Sequence, residues 1–270
     1  MSARVAVAVV SFNTRGALGG CLEALDAPGP GGRPEVWVVD NGSTDGSPDL
    51  VREHPRARLL EGGNVGFGAA VNRVAAASAA PWIVAANADT APEPGALEVL
   101  VRTGESHPGA GAVAPRLLLD DGRTQHSVHR FPGPGLAAAV SSGLATRSRR
   151  IGDRLLIDGC WDPSRARAVD WAHGAFVLFR RSAFEAVGGF DERQWMYAED
   201  LDLAWRLRAG GWEVLYEPSA RVRHHHESAT AAALGPEREL RKSAAAYAGV
   251  VCRRGLARAW ATAALAMAGP

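Results

Sequence analysis

Three short clusters in the sequence hold residue types that do chemistry. Asn87-Ala88-Asp89 directly follows the apolar run Trp82–Ala86. A carboxylate there suits a hard divalent cation, because Mg²⁺ uses one or two carboxylates and completes its shell with substrate phosphate oxygens. Asp89 is thus a candidate to hold a metal that bridges to a diphosphate; the plainer alternative is that Asn87 and Asp89 cap a turn defined by Pro92 and Pro94. Glu199-Asp200 follows a Gly188-Gly189-Phe190-Asp191-Glu192 turn and the aromatic run Trp195-Met196-Tyr197. Acidic residues favour a first helical turn, but two adjacent carboxylates delivered by such a loop also suit a general base presented to a bound hydroxyl. His224-His225-His226 follows Ala220–Val222; in an extended chain His224 and His226 share a face. They form either a surface run or the imidazole that completes a metal shell begun by Asp89.

Chemistry at these clusters needs elements that bring them together. Val5–Val10 reads as a strand buried on both faces. Leu18, Leu22 and Leu25 then recur at helical spacing, and the Pro/Gly-rich stretch 28–34 stops that helix. Strands at Val36–Val39, Leu59–Leu60 and Trp82–Ala86 alternate with helices around Leu50–Val51 and Val71–Ala75, which reads as a mostly parallel, doubly wound α/β sheet. Such sheets bind ligands beyond the carboxyl ends of their strands. Ser11-Phe12-Asn13, Asp40-Asn41, Asn64 and Asn87-Ala88-Asp89 all sit at those ends and would line one crevice.

The second half is less regular. Residues 117–130 read as a hairpin turning at Asp120-Asp121-Gly122, and residues 131–170 as an irregular lid or acceptor-binding insertion. Val177–Phe179 and Trp212–Tyr216 read as strands, with a helix at Leu201, Ala204, Trp205 and Arg208 opening on Glu199-Asp200. From Glu237 onward an Ala/Arg pattern predicts a helix suited to an anionic membrane surface or to packing on a partner.

Composition narrows the chemistry. The 270 residues are 47% apolar and 22% charged, with a formal net charge of +1, so no general basic field for nucleic acid exists. Lys242 is the sole lysine, which excludes a P-loop or Schiff-base lysine elsewhere in the chain. Cys21, Cys160 and Cys252 are far apart and odd in number, without metal or disulfide spacing; a reducing compartment fits. No run reaches the ~18 apolar residues of a membrane span or the pattern of a signal peptide. The expected location is cytoplasmic, with peripheral contact at the cytoplasmic face of the membrane through the C-terminal helix.

In their order along residues 5–230, these motifs resemble the family 2 glycosyltransferases, the inverting enzymes of the GT-A fold, and especially their rhamnosyltransferase-like branch. The matching text is Val7–Asn13, Val38–Gly46, Gly63–Gly68 with Asn72, Asn87–Asp89, Gly188–Glu192, Glu199–Leu203 and His224. The resemblance implies a GT-A domain over residues 1–230, with a nucleotide-sugar half (1–115), an acceptor and catalytic half (116–230) and a helical tail (231–270). It further implies that Ser11, Phe12, Asn13, Asp40 and Asn41 hold the base and ribose of a nucleoside diphosphate sugar, and that Asn64, Gly66 and Asn72 line the donor pocket. Asn87-Ala88-Asp89 stands where the family has Asp-X-Asp. Asp89 and His224 then bind Mg²⁺ or Mn²⁺, and Asp200, beside Glu199, is the base. The acceptor is a glycan, a lipid-linked sugar or a small molecule. Asn87 replaces the first carboxylate, which implies weaker metal binding. The Gln-X-X-Arg-Trp motif of processive synthases is absent, which implies addition of a single sugar.

Two rival readings remain at this level. Gly66-Phe67-Gly68 with Asp89 about 20 residues on partly matches a dinucleotide fingerprint, but Val71 occupies the third glycine position and the motif follows the third strand. A non-catalytic sugar-nucleotide-binding protein should lack the metal carboxylate or the base, and this chain has both.

Overall fold

In a computed structural model, which describes residues 4–27, 32–131, 133–196 and 198–225, the alternating Val/Ala run becomes β1 (Val5–Ser11) at the centre of a sheet. Tyr197, His226 and the tail 231–270 lie outside the described residues. The strand's two-residue period divides the core. Val5, Val7 and Val9 pack with Leu18, Leu22 and Leu25 of α1 (Arg15–Asp26), while Ala6 and Ala8 face the other way. β2 (Glu35–Asp40), α2 (Ser47–Glu53) and β3 (Arg58–Glu61) continue the parallel winding. α3 (Phe67–Ala77) then returns over the alanine face, where Ala70, Val71 and Val74 are fully buried. Small side chains at Ala6 and Ala8 let this helix approach the sheet.

β4 (Trp82–Asn87) pairs in parallel with β1 and is followed by β5 (Thr90–Pro92), α4 (Ala96–Ser106) and β6 (Ala110–Leu118). The Asp120-Asp121-Gly122 turn forms as expected, with the Gly122 N–H donating to Leu119 and that of Gln125 to Leu117. Its continuation differs: β7 (Val128–His129) leaves β6 and pairs elsewhere. The segment 131–170, read as irregular, holds α5 (Pro134–Ser141), α6 (Leu144–Arg147), α7 (Arg149–Arg154) and β8 (Arg167–Val169). Helices of four to eight residues are too short for an apolar period to show in the sequence.

β9 (Trp171–Ala172) is the partner of β7. β10 (Phe176–Arg180) inserts antiparallel between β4 and β6, and α8 (Arg181–Ala186), α9 (Glu199–Ala209) and β11 (Glu213–His224) complete the described chain. The sheet order is β3-β2-β1-β4-β10-β6-β11-β5, with β8 also on β11. Residue 115, where the two halves were divided, lies inside β6, and both halves build this one sheet. β11 joins what were read as two short strands; its register shifts between Glu217 and Arg221, around Pro218, which has no N–H for a ladder.

The Ala/Gly face of α3 is packed tightly. A methyl group at Gly68 would stand 2.7 Å from Phe190 Cβ. Gly68→Ala gains up to ~1 kcal/mol of helix propensity but overpacks a buried contact at a cost of ~1–3 kcal/mol. The expected result is a lower midpoint in urea denaturation; a raised midpoint would show that this seam has room.

Candidate active site

The sheet registers bring the predicted polar strand ends together. Ser11 stands opposite Asp40 across β1–β2, and Val10 opposite Asn87 across β1–β4. Ser11 Oγ is 2.9 Å from Thr14 Oγ1. One oxygen of buried Asp40 accepts the N–H groups of Gly42 (3.0 Å) and Ser43 (2.8 Å), a tight return that Gly42 makes at φ +87°. The other oxygen, and Oδ1 of buried Asn41, have no hydrogen-bond partner. Buried acceptors normally find donors, so these two are fit to receive N–H or O–H groups of a ligand. Asn13, in the left-handed region at φ +52°, donates its N–H to Ser43 Oγ and accepts from Thr44 N–H, both at 2.8 Å. Phe12 is half-buried beside it.

The second cluster is assembled by a ladder. β5 pairs antiparallel with the end of β11, setting His224 opposite Thr90, and the next N–H, of His225, donates to Asp89 O at 2.9 Å. His224 Nε2 is thereby 3.3 Å from Asp89 Oδ1, both side chains being buried, and 3.5 Å from Asn87 Nδ2. His224 Nδ1 is 2.8 Å from Gln125 Oε1. An amide oxygen only accepts, so Nδ1 donates to Gln125 and Nε2 is the ring nitrogen that faces the Asp89 carboxylate. Two electron-pair donors at this separation call for a proton or a cation between them, and a carboxylate with a neutral imidazole fits Mg²⁺ or Mn²⁺. Among the described residues no group of three or more His, Cys, Asp and Glu side chains is arranged to hold a metal ion. Substrate and water oxygens would therefore supply the rest of the shell.

The third cluster reaches the same edge through β10. Because β10 runs antiparallel to β4, its start lies beside the end of β4, and the Asn87 N–H donates to Ala175 O at 2.8 Å. The neighbouring Gly174 N–H donates to Asp200 Oδ2 at 3.1 Å, while Asp200 Oδ1 accepts from Leu201 N–H at 2.7 Å. Asp200 thus stands one backbone step from Asn87-Ala88-Asp89, at the N-terminus of α9. Its residue of entry, Ala198, is buried at φ +66°, a conformation that costs a non-glycine residue ~1 kcal/mol or more. Burial raises the pKa of Asp200 above the ordinary aspartate range. It raises that of Glu199 as well, where the adjacent Asp200 charge adds to the effect and Oε2 has no hydrogen-bond partner among the described residues. One carboxyl of the pair is held protonated more readily than the other.

Asn64, Gly66 and Asn72, expected to line the donor pocket, also hold the 188–196 loop. Both amide atoms of Asn72 are engaged: Oδ1 accepts from Phe190 N–H (2.9 Å), and Nδ2 donates to Phe190 O (2.9 Å) and Glu192 Oε1 (3.1 Å). Asn72 is therefore a positioning residue for the 188–196 loop. Asn64 O accepts from Trp195 Nε1 at 3.3 Å, and Asn64 Oδ1 from Gly66 N–H at 3.2 Å. A Cβ on Gly66 would fall 2.1 Å from Trp195 O. The glycines of the partial dinucleotide fingerprint thus admit this loop and Phe190, leaving no pyrophosphate cradle there.

Gln125, Gly174 and Ala175 went unnoticed in the sequence, where none differs from ordinary loop residues. Asp120 is another such case, its carboxylate lying 2.6 Å from His225 Nδ1. Only the hairpin spacing of Gln125 after Asp120-Asp121-Gly122 could have drawn attention to it.

The sequence model described as "Glycosyl transferase family 2" matches residues 6–188, and that described as "Glycosyl transferase family group 2" matches residues 137–266. An N-acetylglucosaminyl-diphospho-decaprenol L-rhamnosyltransferase of Mycobacterium tuberculosis is 38% identical over 218 residues, covering 72% of this chain and 67% of the relative. A pre-mycofactocin glycosyltransferase of the same organism is 32% identical over 201 residues, covering 72% of this chain and 38% of that one. Among solved structures, a mannosyltransferase of Pyrobaculum calidifontis in complex with GDP-Man and Mn²⁺ superposes with a TM-score of 0.63 at 22% identity, covering 98% of this chain and 73% of its own. GalNAc-T7 with UDP, GalNAc and Mn²⁺ gives a TM-score of 0.63 at 13% identity, covering 83% of this chain and 44% of its own. These likenesses establish a GT-A, mixed α/β fold.

Two outcomes follow from the geometry. Gln125→Ala should weaken Mn²⁺ binding ~10–100-fold in calorimetric titration with the metal alone, since ligand histidines depend on the partner of their other nitrogen; unchanged affinity would dismiss that role. Glu199 has a folded-state pKa above the ordinary glutamate value of 4.5, so its ionisation destabilises the fold as pH rises through the interval between the two. Glu199→Gln should therefore gain stability relative to the parent between pH 5 and 9 in urea melts, whereas a constant difference across that range would contradict the assignment.

Proposed function

The chain belongs to glycosyl transferase family 2 and is a glycosyltransferase, and from that premise we propose that it moves one sugar, with inversion, from a nucleoside diphosphate sugar to a hydroxyl of a lipid-linked glycan. The observation that carries this reading is the Asp200 carboxylate held by the Gly174 and Leu201 N–H groups, next to the Ala175 carbonyl that receives the Asn87 N–H. A base and a donor-side edge therefore border one opening.

Rhamnose is the sugar favoured by the 38% identical relative, whose name also supplies the diphosphate-linked lipid acceptor. The unpartnered acceptors of Asp40 and Asn41 suit the N–H and O–H groups of a nucleobase and ribose. Asp89 and His224 would hold Mg²⁺ or Mn²⁺, which when bound supplies Lewis-acid stabilisation of the leaving diphosphate.

The remaining chemistry falls to the chain's own residues. The acceptor hydroxyl gives its proton to Asp200 as its oxygen bonds to the anomeric carbon, and the bond to the diphosphate oxygen breaks on the opposite face. One in-line displacement inverts that carbon. A raised pKa brings Asp200 nearer to the operating pH, where a general base is most effective. The two backbone N–H groups orient its oxygens, and the aromatic seam of Phe67 and Phe190, with centroids 6.1 Å apart, backs the loop that precedes it.

Asp200→Asn should reduce transfer by ~10²–10⁴-fold while nucleotide affinity, measured by calorimetry, stays within about twofold of the parent. The acid limb of the parent's kcat profile should lie above the ordinary aspartate pKa of 3.8, because activity is lost as Asp200 takes up a proton on acidification. An Asn variant that retains most activity would overturn the assignment of the base.

A further inference from the structure

Apolar and basic groups meet on one exposed surface that the reaction does not use. α5 reads Pro-Gly-Leu-Ala-Ala-Ala-Val-Ser, and Val140 and, in α6, Leu144 are each 50% exposed. Arg147, Arg149 and Arg150 follow immediately, all exposed, and none of them is in a salt bridge among the described residues. From residue 122 to 152 the chain has no Asp or Glu, although the protein as a whole is nearly neutral. Asp162 is the acidic group that senses Arg149 electrostatically.

The opposite side of this segment is fixed to the catalytic half. Ala145 is buried, and a Cβ on Gly152 would meet Cys160 Cβ at 2.5 Å and Ala145 O at 2.6 Å. Leu156 O accepts from His126 Nε2 at 2.7 Å, and Arg154 O from Arg130 Nε at 3.2 Å. Ser127 O in turn accepts the His173 N–H, one residue before the Gly174 that contacts Asp200. The surface is therefore tied to the base by a continuous run of backbone and hydrogen bonds.

We propose that the α5–α6–α7 surface docks this protein on an anionic phospholipid bilayer, with Val140 and Leu144 entering the interface and Arg147, Arg149 and Arg150 meeting lipid phosphates. Charge complementarity selects this occupant: exposed aliphatic residues flanked by three arginines, in a stretch of chain without Asp or Glu and with Asp162 near Arg149, match a layer that is apolar within and negative at its surface. The proposal rests on the lipid-linked-acceptor reading. A polyprenyl chain stays in the bilayer, so the base must be carried to the headgroup layer for the acceptor hydroxyl to reach it. This places membrane contact within the catalytic domain, next to the acceptor side.

The test is co-sedimentation of the full chain with phosphatidylglycerol/phosphatidylcholine vesicles and with pure phosphatidylcholine vesicles, without donor or acceptor. The parent should bind the former and not the latter. Arg147→Glu/Arg149→Glu/Arg150→Glu should lose at least about tenfold in vesicle affinity, and Val140→Ser/Leu144→Ser should lose the salt-resistant fraction of binding. Both variants should keep the parent's circular dichroism. The proposal fails if the parent binds no anionic vesicles or if the charge-reversed variant binds like the parent. It also fails if the substitutions change self-association in sizing chromatography and not vesicle binding. A parent that binds vesicles but transfers no sugar to a short-chain, water-soluble acceptor would count against the catalytic reading and leave the surface standing.

Discussion

The site depends on two backbone hydrogen bonds at the start of β10, one from Asn87 N–H to Ala175 O and one from Gly174 N–H to Asp200. They are possible because β10 enters the sheet antiparallel to β4, so that its first residues lie beside the last residues of β4. A parallel strand in that position would begin at the far edge and leave Asp200 without its partner. The strand's direction thus decides that residues more than a hundred positions apart meet at one edge of the sheet.

Those contacts hold groups that are costly to bury. Asp40, Asp89, Glu199 and His224 are all buried among mainly apolar neighbours. Buried charge is normally tolerated only with partners, and the chain provides them unevenly. Asp40 has two N–H groups for one oxygen, whereas Glu199 has an oxygen with none. The left-handed Ala198 adds backbone strain directly before the acidic pair. The Val and Ala core of the parallel strands supplies the stability that offsets these costs.

The 188–196 loop links the two halves of the chain. Asn72 grips it through the Phe190 backbone, Gly66 yields space to the Trp195 carbonyl, and the Phe67 N–H donates to that same carbonyl at 3.3 Å. The loop is consequently fixed to α3 before it reaches Glu199-Asp200. A substitution on α3 can therefore shift Asp200 without touching it.

Much of the first half was legible in the sequence because its signals are local. Continuous Val/Ala runs specify strands buried on both faces, the Leu18-Leu22-Leu25 spacing specifies a helix face, and polar strand ends follow from chain direction alone. Asp89, Asp200 and His224 stood out by their types and neighbours. Their meeting could be expected from chemistry and from the resemblance, but the contacts that make it, the antiparallel β10 and a β5–β11 ladder extended past an irregularity at Pro218, leave no periodic trace. The contacts of Gln125 and Asn72 were likewise invisible: a side chain's hydrogen-bond partner is set by which distant group comes within about 3 Å. The sequence by itself determined the fold class and which residues could do chemistry, since side-chain type and local period are written residue by residue. Only the tertiary structure decided which of them face one another, because strand direction and register are properties of the packed sheet.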